Sequence, residues 1–166
     1  MSDKPQVFTK SIRQRAGEGL SVGDLFTVTR CFSLEDIAFF ATLSRDYNPV
    51  HCDSHFATLK GMRAPIAHGL LTASLITEIG GQIGWLASGM SFRFKRPVYA
   101  GETLICNWVI REIDEQGRAK ADISVINGDG VTVLEAEITG VLPNENERKH
   151  LIRMLTDGDP TNGVKN

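Results

Sequence analysis

One segment restricts this chain more than any other. Between His68 and about Gly80, the residues Leu70, Leu71, Ala73, Leu75, Ile76 and Ile79 are spread nearly all round a helical wheel. A helix that is apolar on every side has to be enclosed. Lipid cannot enclose it, because Glu78, Gly80, Gly81 and Gln82 interrupt the segment before it reaches the ~18 apolar residues of a membrane span. The rest of the chain must do so. From Met90 the hydrophobic period changes to two, with Phe92 and Phe94 alternating against Arg93 and Lys95, and β-rich runs follow at 103–113, 119–126 and 131–141. Gln116-Gly117 and Asn127-Gly128-Asp129-Gly130 separate these runs with residues that accept positive φ, so consecutive strands return as hairpins. The predicted fold class is α+β, a long buried central helix wrapped by a curved antiparallel β-sheet.

Upstream, a short strand is expected at 24–31. Ser33 with Asp36 three residues later forms a capping-box pattern that opens a helix to about Leu43, with Ile37, Phe39, Phe40 and Leu43 on its buried side. Asn48-Pro49 breaks that helix, since the residue before a proline is driven out of the helical region, and a helical turn follows at 53–59. Gly80-Gly81-Gln82-Ile83-Gly84 has neither the preceding strand of a dinucleotide fingerprint nor the Lys-Ser/Thr of a P-loop, and it reads as the end of the buried helix. Residues 1–20 and 143–166 are polar and read as extensions flanking one domain at 21–142. A short helix at 145–155 carries Leu151, Ile152, Met154 and Leu155 as its apolar stripe.

Composition narrows the function. At 166 residues one domain is expected. The 18 Lys and Arg against 20 Asp and Glu, a net charge of -2, leave no global positive field for nucleic acid or an anionic membrane. Three cysteines, Cys31, Cys52 and Cys106, are odd in number and widely spaced, so they read as small buried hydrophobes in a reducing compartment. Lys4, Lys10, Arg13 and Arg15 accompany no apolar run, so no secretory signal is expected; a cytoplasmic address is the default, and a basic leader to an organelle stays open.

Three clusters carry the candidate chemistry. In Asp46-Tyr47-Asn48-Pro49-Val50-His51 an acid and an imidazole stand five residues apart across a forced bend, so both can face one cavity and act as acid and base on one substrate. The same spacing also suits a capping Asp46 and a hydrogen-bonded interior His51. At His68-Gly69 the unpaired amides of the first helical turn offer a site for developing negative charge, and glycine lets a ligand come close; a plain helix start chosen for packing fits as well. In Phe92-Arg93-Phe94-Lys95-Arg96-Pro97 the phenylalanines take the core face. Arg93, Lys95 and Arg96 could then hold phosphates or simply form a solvated face. No metal is expected: His51, Cys52, Asp53 and His55 lack a second half-site, and His150 is in the tail. Ser74 lacks a nucleophile elbow.

The cluster Ser44-Arg45-Asp46-Tyr47-Asn48-Pro49-Val50-His51 resembles the hydratase motif Asp-x-Asn-Pro-x-His of the MaoC-like (R)-specific enoyl-CoA hydratases. The likeness continues through Ala67-His68-Gly69-Leu70-Leu71 and Phe94-Lys95-Arg96-Pro97-Val98 to Gly101-Glu102-Thr103, covering 21–142. It departs in the two extensions, which short family members lack. The resemblance implies a hot-dog fold, usually a dimer with active sites at the interface, and an enoyl-CoA hydratase or 3-hydroxyacyl-CoA dehydratase, a lyase of fatty acid metabolism; exposed sheet edges and the need to enclose a long thioester predict a homodimer or a dimer of dimers. By the same resemblance Asp46 and His51 would hold and deprotonate the water, Asn48 would orient them, and the Gly69 amide would take the thioester oxygen. Arg93, Lys95 and Arg96 would meet coenzyme A, which enters only as part of the substrate, and Leu70, Leu71 and Thr77 would wall the acyl pocket. No cofactor is implied. The alternatives are a hot-dog thioesterase and a non-catalytic acyl-CoA sensor. A thioesterase has no particular need for the Asn-Pro bend, and a sensor needs an output domain larger than either extension.

Overall fold

In the computed structural model, residues 10–158 are described, so 1–9 and 159–166 of the two expected extensions lie outside the described residues. Helix α1 (Ile12–Glu18) leads to strand β1 (Leu25–Cys31), helix α2 (Leu34–Ser44), a 3₁₀ turn (Pro49–His51) and the short helix α3 (Ser54–Leu59). Then come the long helix α4 (Gly69–Ile83), four strands, β2 (Leu86–Phe94), β3 (Thr103–Ile113), β4 (Arg118–Asn127) and β5 (Thr132–Val141), and helix α5 (Glu145–Thr156). All neighbouring strands are antiparallel, in the order β1-β3-β4-β5-β2. The sheet therefore has five strands, one more than the hairpin run alone predicts, because β1 pairs with β3 from Leu25 opposite Val109 to Cys31 opposite Thr103.

The two hydrophobic periods meet in one core. Leu104, Cys106, Trp108 and Ile110 of β3, with Ala121, Ile123 and Val125 of β4 and Leu134, Ala136 and Ile138 of β5, turn one face of the sheet onto Leu75, Ile76, Ile79 and Ile83 of α4. The helix outlasts its expected end by three residues, since Gly80 and Gly81 lie within it and Gly84, left-handed at φ 78°, terminates it. Gly140 on β5 leaves the space that the Trp85 ring fills, and Trp85 meets Trp108 edge-on at 5.1 Å.

Some faces differ from expectation. Of the α2 stripe only Ile37 is buried and Phe40 half-buried, while Phe39 and Leu43 face solvent. Helix α2 lies outside the sheet-wrapped layer and needs only a narrow contact stripe. Leu70 and Thr77 of α4 are also exposed, so that helix is not enclosed all round. On β2 neither phenylalanine is a core residue: Phe92 is half-buried and Phe94 is 54% exposed, because β2 is the last strand of the sheet. Cys31 and Cys52 are exposed, and only Cys106 is a buried hydrophobe. The expected tail helix forms as α5, opened by an Asn144/Glu147 capping box, and it packs against α1. Helix α1 reaches the core as well, with Ala16 buried and the Arg13 guanidinium donating to the Gly81 carbonyl at 3.2 Å. Among the described residues no helix is long and apolar enough to cross a membrane.

Candidate active site

The bend after α2 is built from its own polar side chains. Ser44 ends the helix and Arg45 turns the chain through a left-handed conformation, φ 59°. Asp46 Oδ1 then accepts from the Asn48 amide and Asn48 Oδ1 accepts from the Val50 amide, both at 3.2 Å. Asn48 thus caps the 3₁₀ turn that Pro49 begins, and its bearing on the site is through the backbone that carries His51.

That turn aims His51 inward. Its Nδ1 donates to the Ile66 carbonyl at 2.8 Å, because a carbonyl oxygen can only accept, which leaves Nε2 as the bare nitrogen. Nε2 stands 3.7 Å from Asp46 Oδ2. The imidazole is nearly buried, with 10% of its side chain exposed, whereas half of the Asp46 side chain is open. His68, at the N-cap of α4, stacks on His51 with ring centroids 3.8 Å apart and planes 26° from parallel. Asp46, His51 and His68 bring one ligand atom each within 4.8 Å of one another. They do not fit a metal ion: near-parallel stacked rings aim their lone pairs in separate planes, and a cation ~2 Å from one nitrogen in its ring plane falls outside the plane of the other.

A cavity of about 450 Å³ opens at this point, lined by Asp46, His51, His68, Gly69 and Leu70 on one side and by Phe94, Lys95 and Arg96 on the other. Gly69 starts α4, so its amide has no partner within the helix and carries the positive end of the helix dipole. A side chain at position 69 would run into the Phe94 ring, whose atoms would lie 2.8 Å from a Cβ there. Phe94 is thus a cavity wall. The alternating pattern assigned it to the core, and its place in an edge strand is a tertiary fact that the pattern does not contain.

The basic cluster divides. Arg93 lies outside the cavity and pairs with Glu135 at 3.3 Å; Lys95 lines the cavity and shares the same carboxylate at 3.6 Å; Arg96 lines it and donates to the Lys95 carbonyl at 2.8 Å. Of the expected acyl wall, Leu70 lines this cavity, while Leu71 is in the core and Thr77 is on the open face of α4. Met62, Ile66 and Val133 line it without having been singled out in the sequence. Each is an ordinary apolar residue whose pattern marks no site.

A curved antiparallel sheet around one long helix is the hot-dog fold, and here an acid and an imidazole face a cavity at that helix's N-terminus. Residues 14–133 match the MaoC like domain. The chain is 33% identical over 131 residues to a mitochondrial 3-hydroxyacyl-[acyl-carrier-protein] dehydratase of Arabidopsis thaliana, spanning 75% of this chain and 79% of that one. It is 37% identical over 91 residues to an (R)-specific enoyl-CoA hydratase of Aeromonas caviae, spanning 52% and 68%. The solved (R)-hydratase of A. caviae superposes with a TM-score of 0.71 at 30% identity, over 76% of this chain and 99% of that one. The chain belongs to the MaoC-like family and is a hydro-lyase.

Proposed function

We propose that this protein catalyses the (R)-specific hydration of trans-2-enoyl-CoA to (R)-3-hydroxyacyl-CoA, or the reverse dehydration. The observation that carries the reading is the 3.7 Å gap between Asp46 Oδ2 and His51 Nε2, beside the first amide of α4. An ionised carboxylate and a bare imidazole nitrogen are both acceptors, and the gap is too long for a direct hydrogen bond. One water can bridge them by giving a hydrogen to each, and its lone pair is then free to attack. In hydration the water oxygen bonds to the β-carbon as its proton passes to one member of the pair. The π electrons move to the α-carbon and thioester oxygen, where the Gly69 amide stabilises the enolate. A proton returned to the α-carbon from the same pair, on the same face, completes a syn addition. The reaction is acid–base throughout, and the proposal includes no cofactor and no metal.

The thioester enters past Lys95 and Arg96, the two cations on the cavity wall, which suit the phosphates of coenzyme A. Arg93, held by Glu135, has a smaller part. The relatives are named for both coenzyme A and acyl-carrier-protein substrates. The compact basic wall favours coenzyme A. The working unit is proposed to be a homodimer or a dimer of dimers, and the three free cysteines fit a reducing compartment such as the cytoplasm.

Loss of the conjugated thioester absorbance of crotonyl-CoA tests the reading directly. Wild-type protein is expected to hydrate it, and Asp46→Asn, which cannot take a proton from water, to lose on the order of 10² or more in kcat while still binding an acyl-CoA. Near-wild-type hydration by Asp46→Asn would sink the proposal.

A further inference from the structure

His68 is 1% exposed and its Nε2 lies 3.1 Å from the backbone carbonyl of Asp46. A carbonyl oxygen only accepts, so Nε2 carries the proton. Nδ1 is buried and has no hydrogen-bond partner among the described residues. A hydrogen on Nδ1 would be an N–H with no acceptor in the interior, so the geometry favours the form with Nδ1 bare. Its face lies on His51 at 3.8 Å, and Phe40 of α2 packs against it at 5.0 Å. His68 makes no side-chain cap to its own helix.

These contacts do not describe a packing residue. A leucine or phenylalanine would fill the same interior without an orphaned nitrogen, and a serine or aspartate would cap α4. What an imidazole alone supplies is a donor on its edge for the backbone of Asp46 together with a flat face for the ring of His51. We infer that His68 is a positioning residue, a neutral Nε2–H imidazole that ties the two halves of the acid–base pair to the start of α4. Asp46 is half exposed on an irregular bend, and among the described residues His51 has one hydrogen bond to fix its ring. The tie sets both relative to the Gly69 amide, the next residue along the chain. The inference rests on the hydratase reading for its consequence in catalysis, although the tie itself is a matter of geometry.

Three variants separate the contacts. His68→Ala removes both, His68→Phe restores the flat face alone, and His68→Gln restores a donor alone. For hydration of crotonyl-CoA, His68→Ala is expected to lose 10-fold or more in kcat with KM within about 2-fold, since mispositioning the pair affects the chemical step more than binding. The other two are expected to recover part of that loss each. Nitrogen-15 spectra of the imidazoles at about pH 8, where histidine is ordinarily neutral, are expected to give His68 the Nε2–H form and His51 the Nδ1–H form. In His68→Ala the His51 ring should populate both forms. Folded His68→Ala with wild-type kcat, or a wild-type His68 found cationic or protonated on Nδ1, would overturn the inference. Should the wild type hydrate no enoyl thioester, the function reading falls by itself, and the spectra still decide whether His68 holds His51.

Discussion

Burial separates the three cysteines into two chemical kinds. Cys106 on β3 is fully enclosed, and burial, with a smaller push from the Glu78 carboxylate, raises its thiol to about 12. Cys31 and Cys52 are exposed. An aromatic disulfide reagent is therefore expected to titrate two thiols in the native protein and the third only in denaturant; rapid reaction of all three would contradict the burial of Cys106. The sign of the pH effect follows from the same raised value. An unfolded thiol ionises near its ordinary value of 9.0 while the folded one stays protonated to about 12, so the contribution is intact below 9.0 and fades as pH rises toward 12. Its slope is at most about 1.4 kcal/mol per pH unit. Denaturant midpoints of wild type and Cys106→Ala should converge across that window, the wild type losing stability faster.

Contacts between elements decide what the sequence could and could not disclose. Gly69 of α4 and Phe94 of β2 illustrate both. The glycine was legible as a helix start open to a ligand, but its second reason, the Phe94 ring standing where a β-carbon would go, needs the fold. Gly69→Ala puts a methyl group within 2.8 Å of that ring, which is 54% exposed and can swing aside, so it is expected to cost about 1 kcal/mol, the low end of overpacking. Phe94→Ala in the same chain should return much of that cost, as a double-mutant cycle by chemical denaturation will measure; strictly additive effects would mean the two residues do not bear on one another. The positions of β1, β3, β4, β5 and α4 were readable because their patterns answer to the same core. Faces at the margin were not. Phe39 and Leu43 lie in step with Ile37 on a helix whose contact stripe is narrower than its apolar stripe, and Phe92 and Phe94 alternate correctly on a strand with no neighbour on its far side. Asp46 and His51 were legible because a local bend brings them together, whereas the stacking of His68 on His51 joins residues 17 positions apart in sequence.

The sheet as a whole ends at β1 on one side and β2 on the other, and the two ends differ in character. Strand β2 carries exposed Leu86, Met90 and Phe94, and among the described residues no strand pairs with its outer edge. A long apolar edge of this kind is a template for pairing unless something covers it. A second copy of the same strand, related by a two-fold axis, would cover it most simply: each β2 would pair antiparallel with the other, and two five-stranded sheets would become continuous. Because Phe94 also walls the active-site cavity, the partner would narrow the opening through which the thioester enters. Light scattering should then give twice the 18.2 kDa of one chain, or four times if the dimers pair again. Met90→Lys on β2 should drive the mass toward 18.2 kDa and lower hydration with it, whereas Thr29→Lys on β1, exposed on the opposite edge, should leave both unchanged. A fully active wild-type monomer would refute pairing through β2. A dimer broken by Thr29→Lys and untouched by Met90→Lys would place the interface on β1 instead.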